Sequence, residues 1–299
     1  MDQTLLFSLF NGLLYGMLLF MLSSGLTLIF SMMGVLNFAH ASFFMLGAYF
    51  AHEISRSIGF WPALLLAPLA VALLGALVQA VGLRRLHQRG HVAELLFTFG
   101  LVYVIEEMVV FFWGRLPVAY RIPKELDFAL FSLFGINYSA YRIFMLAVAV
   151  LSFVCLALVL TRTRIGLIVR AALSQPEMLR ALGHDVPKVF MGVFAGGCAL
   201  AGLAGVIGGN YFTTQPTMAM QLGTIIFVVV VIGGLGSLAG ALIASLIVGI
   251  VQTVSVAVDI SLAPILPVKL SEIGALLPYV LMVMVLIFKP KGLMGKRES

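Results

Sequence analysis

The sequence predicts an all-α fold, a polytopic transmembrane helical bundle of about 8–9 spans in a single domain that covers residues 1–299. Two observations predict it. Of the 299 residues, 62% are hydrophobic and only 10% are charged, whereas soluble domains are about one quarter charged. Apolar runs long enough to cross a bilayer, about 20 residues each, recur along the chain between short polar segments.

The net charge of +6 comes from basic residues that cluster in a few of these polar segments. There is no basic stripe with interleaved aromatic residues, so the charge predicts membrane topology and no nucleic-acid partner. Cys155 and Cys198 lie inside apolar runs, and no disulfide framework is expected. The first residues lack the basic segment of a cleaved signal peptide, which favours a retained first span.

Loops rich in Lys and Arg face the cytoplasm, and this rule orients the spans. The apolar runs that we assign to spans or partial spans are 5–30, 41–51, 64–83, 92–113, 141–160, 189–211, 222–232, 238–258 and 274–288. The scheme predicts an external N-terminus and a cytoplasmic C-terminus. Arg85, Arg170 and Lys296 are then inside, whereas Lys124 and Lys269, in the loops 114–139 and 259–272, are outside.

Two interruptions break the apolar segments, one in each half of the chain, at 37–40 and 233–237. A break at membrane depth is tolerated only where it is buried in protein or lines a watery cavity, and transporters place paired breaks beside the substrate route. We therefore predict a route lined by Asn37, His40, Gly233, Gly234, Gly236 and Ser237. The alternative is that both breaks are tight turns packed against a partner subunit.

The longest polar interruption, about 161–188, has the marks of a short helix from Gln175 to Leu182. Ser174 is the predicted N-cap, and Pro176 lies in the first turn, where a missing N–H costs nothing. Gly183 then ends the helix as a C′ glycine. The hypothesis is a cytoplasmic docking helix, and the alternative is a basic loop that only sets topology. The candidates for coupling are Arg170, Ser174, Glu177, Arg180 and Gly183.

No catalytic residue and no metal site is predicted. The glycine-rich segment 233–237 lacks the Lys of a Walker A loop, and no HExxH motif or paired serine and histidine stands out. Glu106 and Glu107 lie near the outer end of a span, where they either bind a proton or cation or reach the interface and pair with Arg115. The first reading would make the chain an ion-coupled secondary transporter. Glu94 lies in the first turn of a predicted helix, where the helix dipole stabilises an acidic side chain. This effect is sufficient to explain its position.

Six segments carry a resemblance to a known family. They are residues 11–49, which include LNFAH and FMLGAY; FTFGL at 97–101; the polar stretch 161–190; LAGLAGVIGG at 200–209; VVVVIGGLGSLAGALIASLIVG at 228–249; and KPKGLMGKRE at 289–298. With these, almost the whole chain resembles the permease subunits of branched-chain amino-acid ABC transporters, of the LivH type. Phe99 stands where the family's TIGL segment has Ile, and Lys291 stands where its PRGLFG ending has Arg.

The resemblance implies an inner-membrane permease of a bacterial ABC importer. Its partners would be a second homologous permease, two cytoplasmic ABC ATPase subunits and a periplasmic substrate-binding protein, with the docking helix as the coupling helix. ATP would be bound by the partner subunits, so no cofactor is expected in this chain. Leucine, isoleucine and valine are the implied substrates, although relatives carry urea, short amides, other amino acids or aromatic acids.

Overall fold

A computed structural model describes residues 3–34, 36–133, 136–257, 269 and 271–295. Most of these residues lie in helices. The helices are α1 (Gln3–Met33), α2 (His40–Ile58), α3 (Phe60–Val78), α4 (Arg84–Leu86), α5 (His91–Trp113), α6 (Ala140–Arg162), α7 (Arg164–Ser174), α8 (Pro176–Ala181), α9 (Val186–Gly208), α10 (Met218–Gly233), α11 (Leu238–Ala257) and α12 (Leu277–Phe288).

The predicted helical membrane bundle is confirmed as a class. Among the residues that the structure describes, six helices are long and apolar enough to cross a membrane, namely Thr4–Met33, Phe60–Leu86, His91–Trp113, Ala140–Arg162, Val186–Gly208 and Leu238–Ala257. The apolar helices α10 and α12 are shorter. The 19 residues of α2 are less apolar because they include Glu53 and Arg56. The count of eight or nine spans stays a prediction.

The all-α expectation is wrong for the loop 114–139, which contains a β-hairpin. Strands β1 (Ala129–Leu133) and β2 (Ile136–Ser139) pair antiparallel. Aromatic and branched residues favour this pairing, because their side chains interact across the strands. The rings of Phe131 and Tyr138 stack with centroids 5.2 Å apart, and Tyr138 also packs on Phe10 of α1.

The third span runs further than its apolar run predicted. Helix α3 begins at Phe60 and passes through a π-helical turn, Gln79–Leu83, into α4 and a 3-10 turn at His87–Arg89. At Gly82 an added Cβ would lie 2.8 Å from a ring carbon of Phe97 on α5. The ring of Phe97 on α5 thus packs directly against the backbone of this turn.

Helices α1, α2 and α9 form the centre of the bundle, and small residues let them approach closely. An added Cβ at Gly12 would lie 2.8 Å from the Ile250 Cα of α11, and one at Gly25 would lie 2.5 Å from the Gly197 carbonyl oxygen of α9. This is the tight packing expected of small residues at helical spacing in lipid. Gly192 of α9 is an exception, because an added Cβ there meets nothing within 4 Å.

The segments that are rich in Lys and Arg meet at one end of the bundle, here called the basic end. It comprises the basic segments 84–89, 162–188 and 289–295 together with the glycine-rich turn 233–237, and these surround the last turn of α1. Met32 packs against a cluster of Ala172, Leu179 and Val186. The Ser31 hydroxyl donates a hydrogen bond to the Gly236 carbonyl at 3.2 Å. The rings of His87 and Phe190 lie 6.5 Å apart, which brings Arg85 to the same end as Arg170; Lys296 is outside the described residues.

The opposite end is closed by hydrogen bonds between helix ends and loops. Trp113 Nε1 donates to Glu53 Oε1 at 2.8 Å, which joins α5 to α2. The Tyr141 hydroxyl donates to the Ile207 carbonyl at 2.8 Å, which joins α6 to α9. Burial raises the pKa of the nearby loop residue Tyr120, so that this side chain stays neutral. Lys124 lies at this end, as does Lys269, which precedes α12.

Candidate substrate route and coupling segment

The first interruption makes α2 begin inside the bundle. Helix α1 ends at Met33, Gly34 takes a positive φ of 66°, and the chain reaches His40 before the next helix starts. His40 Nε2 lies 3.0 Å from the Leu22 carbonyl oxygen. Leu22 is about 16 Å back along α1 from Met33, at 1.5 Å per residue. The segment between the helices therefore returns from the basic end to the interior, as a broken helix requires.

A cavity of about 210 Å³ opens beside this segment, between α1, α2, α5 and α10. Its walls are mainly apolar, and Asn37, His40 and Thr224 are the polar side chains in its lining. The apolar lining is formed by Leu26, Leu36, Phe38, Ala41, Phe99, Val102, Ala219, Met220, Gly223, Ile226 and Phe227. Two of the predicted route residues, Asn37 and His40, thus lie together at one cavity.

Each of these two residues holds a buried polar atom that has no hydrogen-bond partner in the described part of the chain. Asn37 Oδ1 accepts from the Ala39 N–H at 3.1 Å, but its Nδ2 is unpartnered. His40 Nε2 must donate to Leu22, because a carbonyl only accepts; the unpartnered Nδ1 is then an acceptor in the neutral ring. Buried polar groups are normally satisfied, so an unpartnered donor and an unpartnered acceptor on residues that line one cavity are a functional signal.

Helix α5 supplies a third side of the cavity, which the route prediction missed. The Phe38 N–H donates to Thr98 Oγ1 at 3.4 Å, and the rings of Phe38 and Phe99 are 6.2 Å apart. The sequence signal was the FTFGL segment, which we treated only as a family motif. The structure brings this motif against LNFAH, so the two segments form one site.

The second interruption is a tight turn at the basic end, away from the cavity. Gly234 and Gly236 take positive φ values of 98° and 80°, and Ser237 Oγ accepts from the Gly240 N–H at 3.1 Å. Gly236 contacts α1 at Ser31, whereas His40 contacts α1 at Leu22. These two positions are nine residues, or about 13 Å, apart along the helix. The structure therefore does not place Gly233, Gly234, Gly236 or Ser237 in the cavity lining with Asn37 and His40.

The predicted cap of the docking helix is wrong. Ser174 is the last residue of α7, an amphipathic helix that the sequence analysis did not identify, and its hydroxyl donates back to the Arg170 carbonyl at 3.1 Å. Such back-bonding competes with capping. Gln175 is the N-cap of α8 and makes no side-chain capping bond, so Glu177 completes no capping box.

The other end signals of this helix are confirmed. Pro176 is the first residue of α8, and Gly183 follows its end with a positive φ of 86°. The His184 N–H donates to the Leu179 carbonyl at 3.2 Å, as in a Schellman motif. Leu179 is buried against Met32 and Val186, so α8 rests on α1 and α9 as a short helix must. Arg170, Glu177 and Arg180 stay exposed.

The remaining acidic residues have different surroundings. Glu106 is half-buried and Glu107 exposed on α5, and neither pairs with Arg115 among the residues described. Glu94 is buried, and its Oε1 lies 2.7 Å from His87 Nδ1. It therefore has a side-chain partner in addition to the helix dipole. Within the described ranges, no group of three or more His, Cys, Asp or Glu residues could hold a metal ion.

A bundle of membrane-length helices, with one helix that starts inside it beside a cavity, defines a membrane transport protein. The chain belongs to the family described as branched-chain amino acid transport system / permease component, whose model matches residues 8–286. It is thus a multi-pass permease of the branched-chain amino-acid ABC transport class, whose bacterial members lie in the inner membrane.

Relatives match nearly the full length. The chain is 26% identical to the high-affinity branched-chain amino acid transport system permease protein BraD of Pseudomonas aeruginosa, over 97% of this chain and 95% of the relative. It is 26% identical to LivH of Escherichia coli K12, with the same coverage. The probable branched-chain amino acid transport permease protein LivH of Methanocaldococcus jannaschii is 28% identical, over 95% and 91%. No solved structure matches.

Proposed function

We propose that this permease passes leucine, isoleucine and valine, or related small polar solutes, into the cytoplasm through the cavity beside Asn37 and His40. The unpartnered atoms of these two residues carry the proposal. A zwitterion needs a donor for its carboxylate and an acceptor for its ammonium, and Asn37 Nδ2 and His40 Nδ1 offer one of each. The apolar walls suit a branched aliphatic side chain.

The size of the cavity supports passage rather than tight binding. At about 210 Å³, it lies below the roughly 300–1,000 Å³ of typical ligand pockets. A permease that receives its solute from a binding protein needs polar groups that replace part of the lost hydration, without holding the solute firmly. Two neutral polar groups in an apolar wall meet that requirement.

The energy comes, in this proposal, from two ABC ATPase subunits that dock at the basic end, while a second homologous permease completes the route. In this proposal ATP binds to the partner subunits, and the permease needs no cofactor of its own. Helices α7 and α8 are the coupling segment, and Met32 links them to the helix that precedes the cavity. The relatives are named as permeases of branched-chain amino acid systems, which supports this assignment.

The orientation follows from charge. The basic end carries Arg84, Arg85, Arg89, Arg162, Arg164, Arg170, Arg180, Lys188, Lys289 and Lys291, whereas the opposite end mixes both signs. The positive-inside rule puts the basic end in the cytoplasm and the N-terminus in the periplasm. Single cysteines at Arg170 and Lys124 test this with an impermeant thiol reagent in a variant without Cys155 and Cys198. Position 124 should label in spheroplasts and position 170 only after permeabilisation; the reverse would contradict the orientation.

The function is tested by ATP-driven uptake into proteoliposomes that contain the complete transporter. Wild type should take up leucine, isoleucine and valine in preference to lysine and glutamate. Asn37→Leu should lower uptake about tenfold, because a lost hydrogen bond to a charged group is worth roughly 1.5–3 kcal/mol. Gln252→Leu is the matched control, since this half-buried amide also has a buried, unpartnered oxygen but lies away from the cavity.

Equal losses in both variants would show that Asn37 acts only in folding. Uptake that survives ATP depletion and stops when an ion gradient is collapsed would contradict the ABC mechanism and favour ion coupling through Glu106 or Glu107.

A further inference from the structure

A second cavity lies on the outside of the bundle, in a groove between α3, α6, α7 and α9. Its volume is about 800 Å³, and its walls are almost entirely apolar. Leu65, Val148, Ile165 and Val189 mark its extent. The groove has no part in the proposed route, because no residue lines both the groove and the cavity at His40.

The groove is long and is deepened by glycines. On α9 its lining runs from Val189 to Leu203, fourteen residues or about 21 Å. One leaflet of the hydrocarbon core is about 15 Å thick, half of the usual 30 Å. Gly192 and Gly196 form the floor, and an added Cβ at either meets nothing within 4 Å. A narrow apolar channel of this length fits the acyl chain of a lipid.

The mouth of the groove at the basic end is positively charged. Leu160 and Ile165 line the mouth, and Arg162 and Arg164 lie between them in the chain. Both arginines are exposed and make no hydrogen bond or ion pair with any described residue. The sequence contains no acidic residue between Asp127 and Glu177. Nothing local therefore neutralises the two charges.

The depth of these arginines matches a lipid headgroup. Helix α6 has 23 residues, or about 34 Å, against a hydrocarbon core of about 30 Å. Arg162 is its last residue and therefore reaches the membrane surface. Lys188, the next basic residue nearby, is already paired with Asp185 at 3.0 Å, and this hydrogen bond lowers the pKa of Asp185. The free positive charge at the mouth thus comes from Arg162 and Arg164.

We propose that the groove binds an anionic phospholipid from the leaflet at the basic end, with an acyl chain over Gly192 and Gly196 and the phosphate on Arg162 and Arg164. Basic pockets between membrane helices at the cytoplasmic side recognise such headgroups. Ile165 and Val169 of α7 line the groove, so the bound lipid also supports the coupling segment. The site depends on groove and charge alone and not on the substrate.

Native mass spectrometry of the full chain, purified from membranes and exposed to defined lipids, tests the headgroup. Wild type should retain phosphatidylglycerol in preference to phosphatidylcholine. The double variant Arg162→Gln and Arg164→Gln should weaken phosphatidylglycerol retention about 25-fold, because each basic residue contributes about fivefold. The double variant Arg85→Gln and Arg89→Gln, which alters two exposed arginines elsewhere at the basic end, should change nothing.

The acyl chain is tested by filling the groove. Gly196→Phe should abolish retention of both lipids, whereas Gly100→Phe, at another helical glycine with open space around it, should not. A photoreactive side chain at Leu151, which lines the groove, should attach to lipid in the assembled transporter. Attachment to a protein partner, equal retention of both lipids by wild type, or displacement of phosphatidylglycerol by inorganic phosphate in the mass spectrum would each overturn the proposal.

Discussion

The two interruptions of the apolar segments look alike in sequence and differ in what surrounds them. At 37–40 the chain enters the bundle, and Asn37 and His40 keep unpartnered polar atoms beside a cavity. At 233–237 the chain turns at the basic end, where Ser237 caps the next helix and the C-terminal segment packs on Gly234. A break is therefore a site only where neighbouring helices leave space beside it.

The C-terminal segment closes the second interruption with ordinary backbone hydrogen bonds. The Leu293 N–H donates to the Ile232 carbonyl at 2.8 Å, and the Met294 N–H donates to the Gly233 carbonyl at 3.1 Å. These bonds satisfy carbonyls at the end of α10 that have no partner within the helix. Of the two interpretations of this segment, the structure favours the packed turn over the route.

The largest expected effect is on recovery of the protein in Gly234→Leu. A side chain at this positive φ costs about 1–3 kcal/mol, and its Cβ would lie 2.5 Å from the Gly295 backbone nitrogen. We expect severalfold less monodisperse protein in size-exclusion chromatography and a lower melting temperature. Gly100→Leu, at a helical glycine with nothing within 4 Å, should be recovered normally.

Recovery and transport, measured together, decide whether the segment 233–237 is a packed turn or part of the substrate route. Normal recovery of Gly234→Leu with lost uptake would mean that the turn belongs to the route after all. Asn37→Leu should show the opposite pattern, with normal recovery and lost uptake, so the two variants check each other.

A smaller and more local effect is expected at Gly183, which also has a positive φ but no neighbour within 4 Å of an added Cβ. Gly183→Pro removes the N–H that donates to Arg180 and fixes φ near −65°, so the end of α8 cannot form. The transporter should assemble, while substrate-loaded binding protein no longer stimulates ATP hydrolysis.

Gly183→Asn is the control, because Asn tolerates a positive φ better than other side chains. It should keep most of the stimulation. Full stimulation in Gly183→Pro would show that α8 does not couple the ATPase and that the segment only sets topology.

The smallest effect is expected at Thr98, which holds the first interruption from α5. Thr98→Val removes the acceptor for the Phe38 N–H, a long bond of 3.4 Å, and should lower leucine uptake about two- to fivefold at unchanged recovery. Thr224→Val is the control. Thr224 lines the same cavity, but among the described residues its hydroxyl donates only to the Met220 carbonyl in its own helix. If Thr224→Val lowers uptake as much as Thr98→Val does, the hydrogen bond between Phe38 and Thr98 has no special role.

Short-range signals were predicted well from the sequence. The long apolar runs became helices because burial in lipid requires every backbone group to be satisfied within the segment. Pro176 and Gly183 bound α8 as expected, since φ at both positions depends on the residue itself. Ser174 failed as a cap because its hydroxyl had a competing acceptor in a preceding helix that was not recognised.

Only the tertiary structure decided which interruption carries a cavity. His40 meets Leu22, 18 residues earlier, and Phe38 meets Thr98, 60 residues later, whereas Gly236 meets Ser31 across 205 residues. Hydropathy and residue spacing describe one segment at a time, but a cavity is the space that several packed helices leave open. Its place depends on where glycines such as Gly25 and Gly197 let helices touch, and that is a property of pairs of helices.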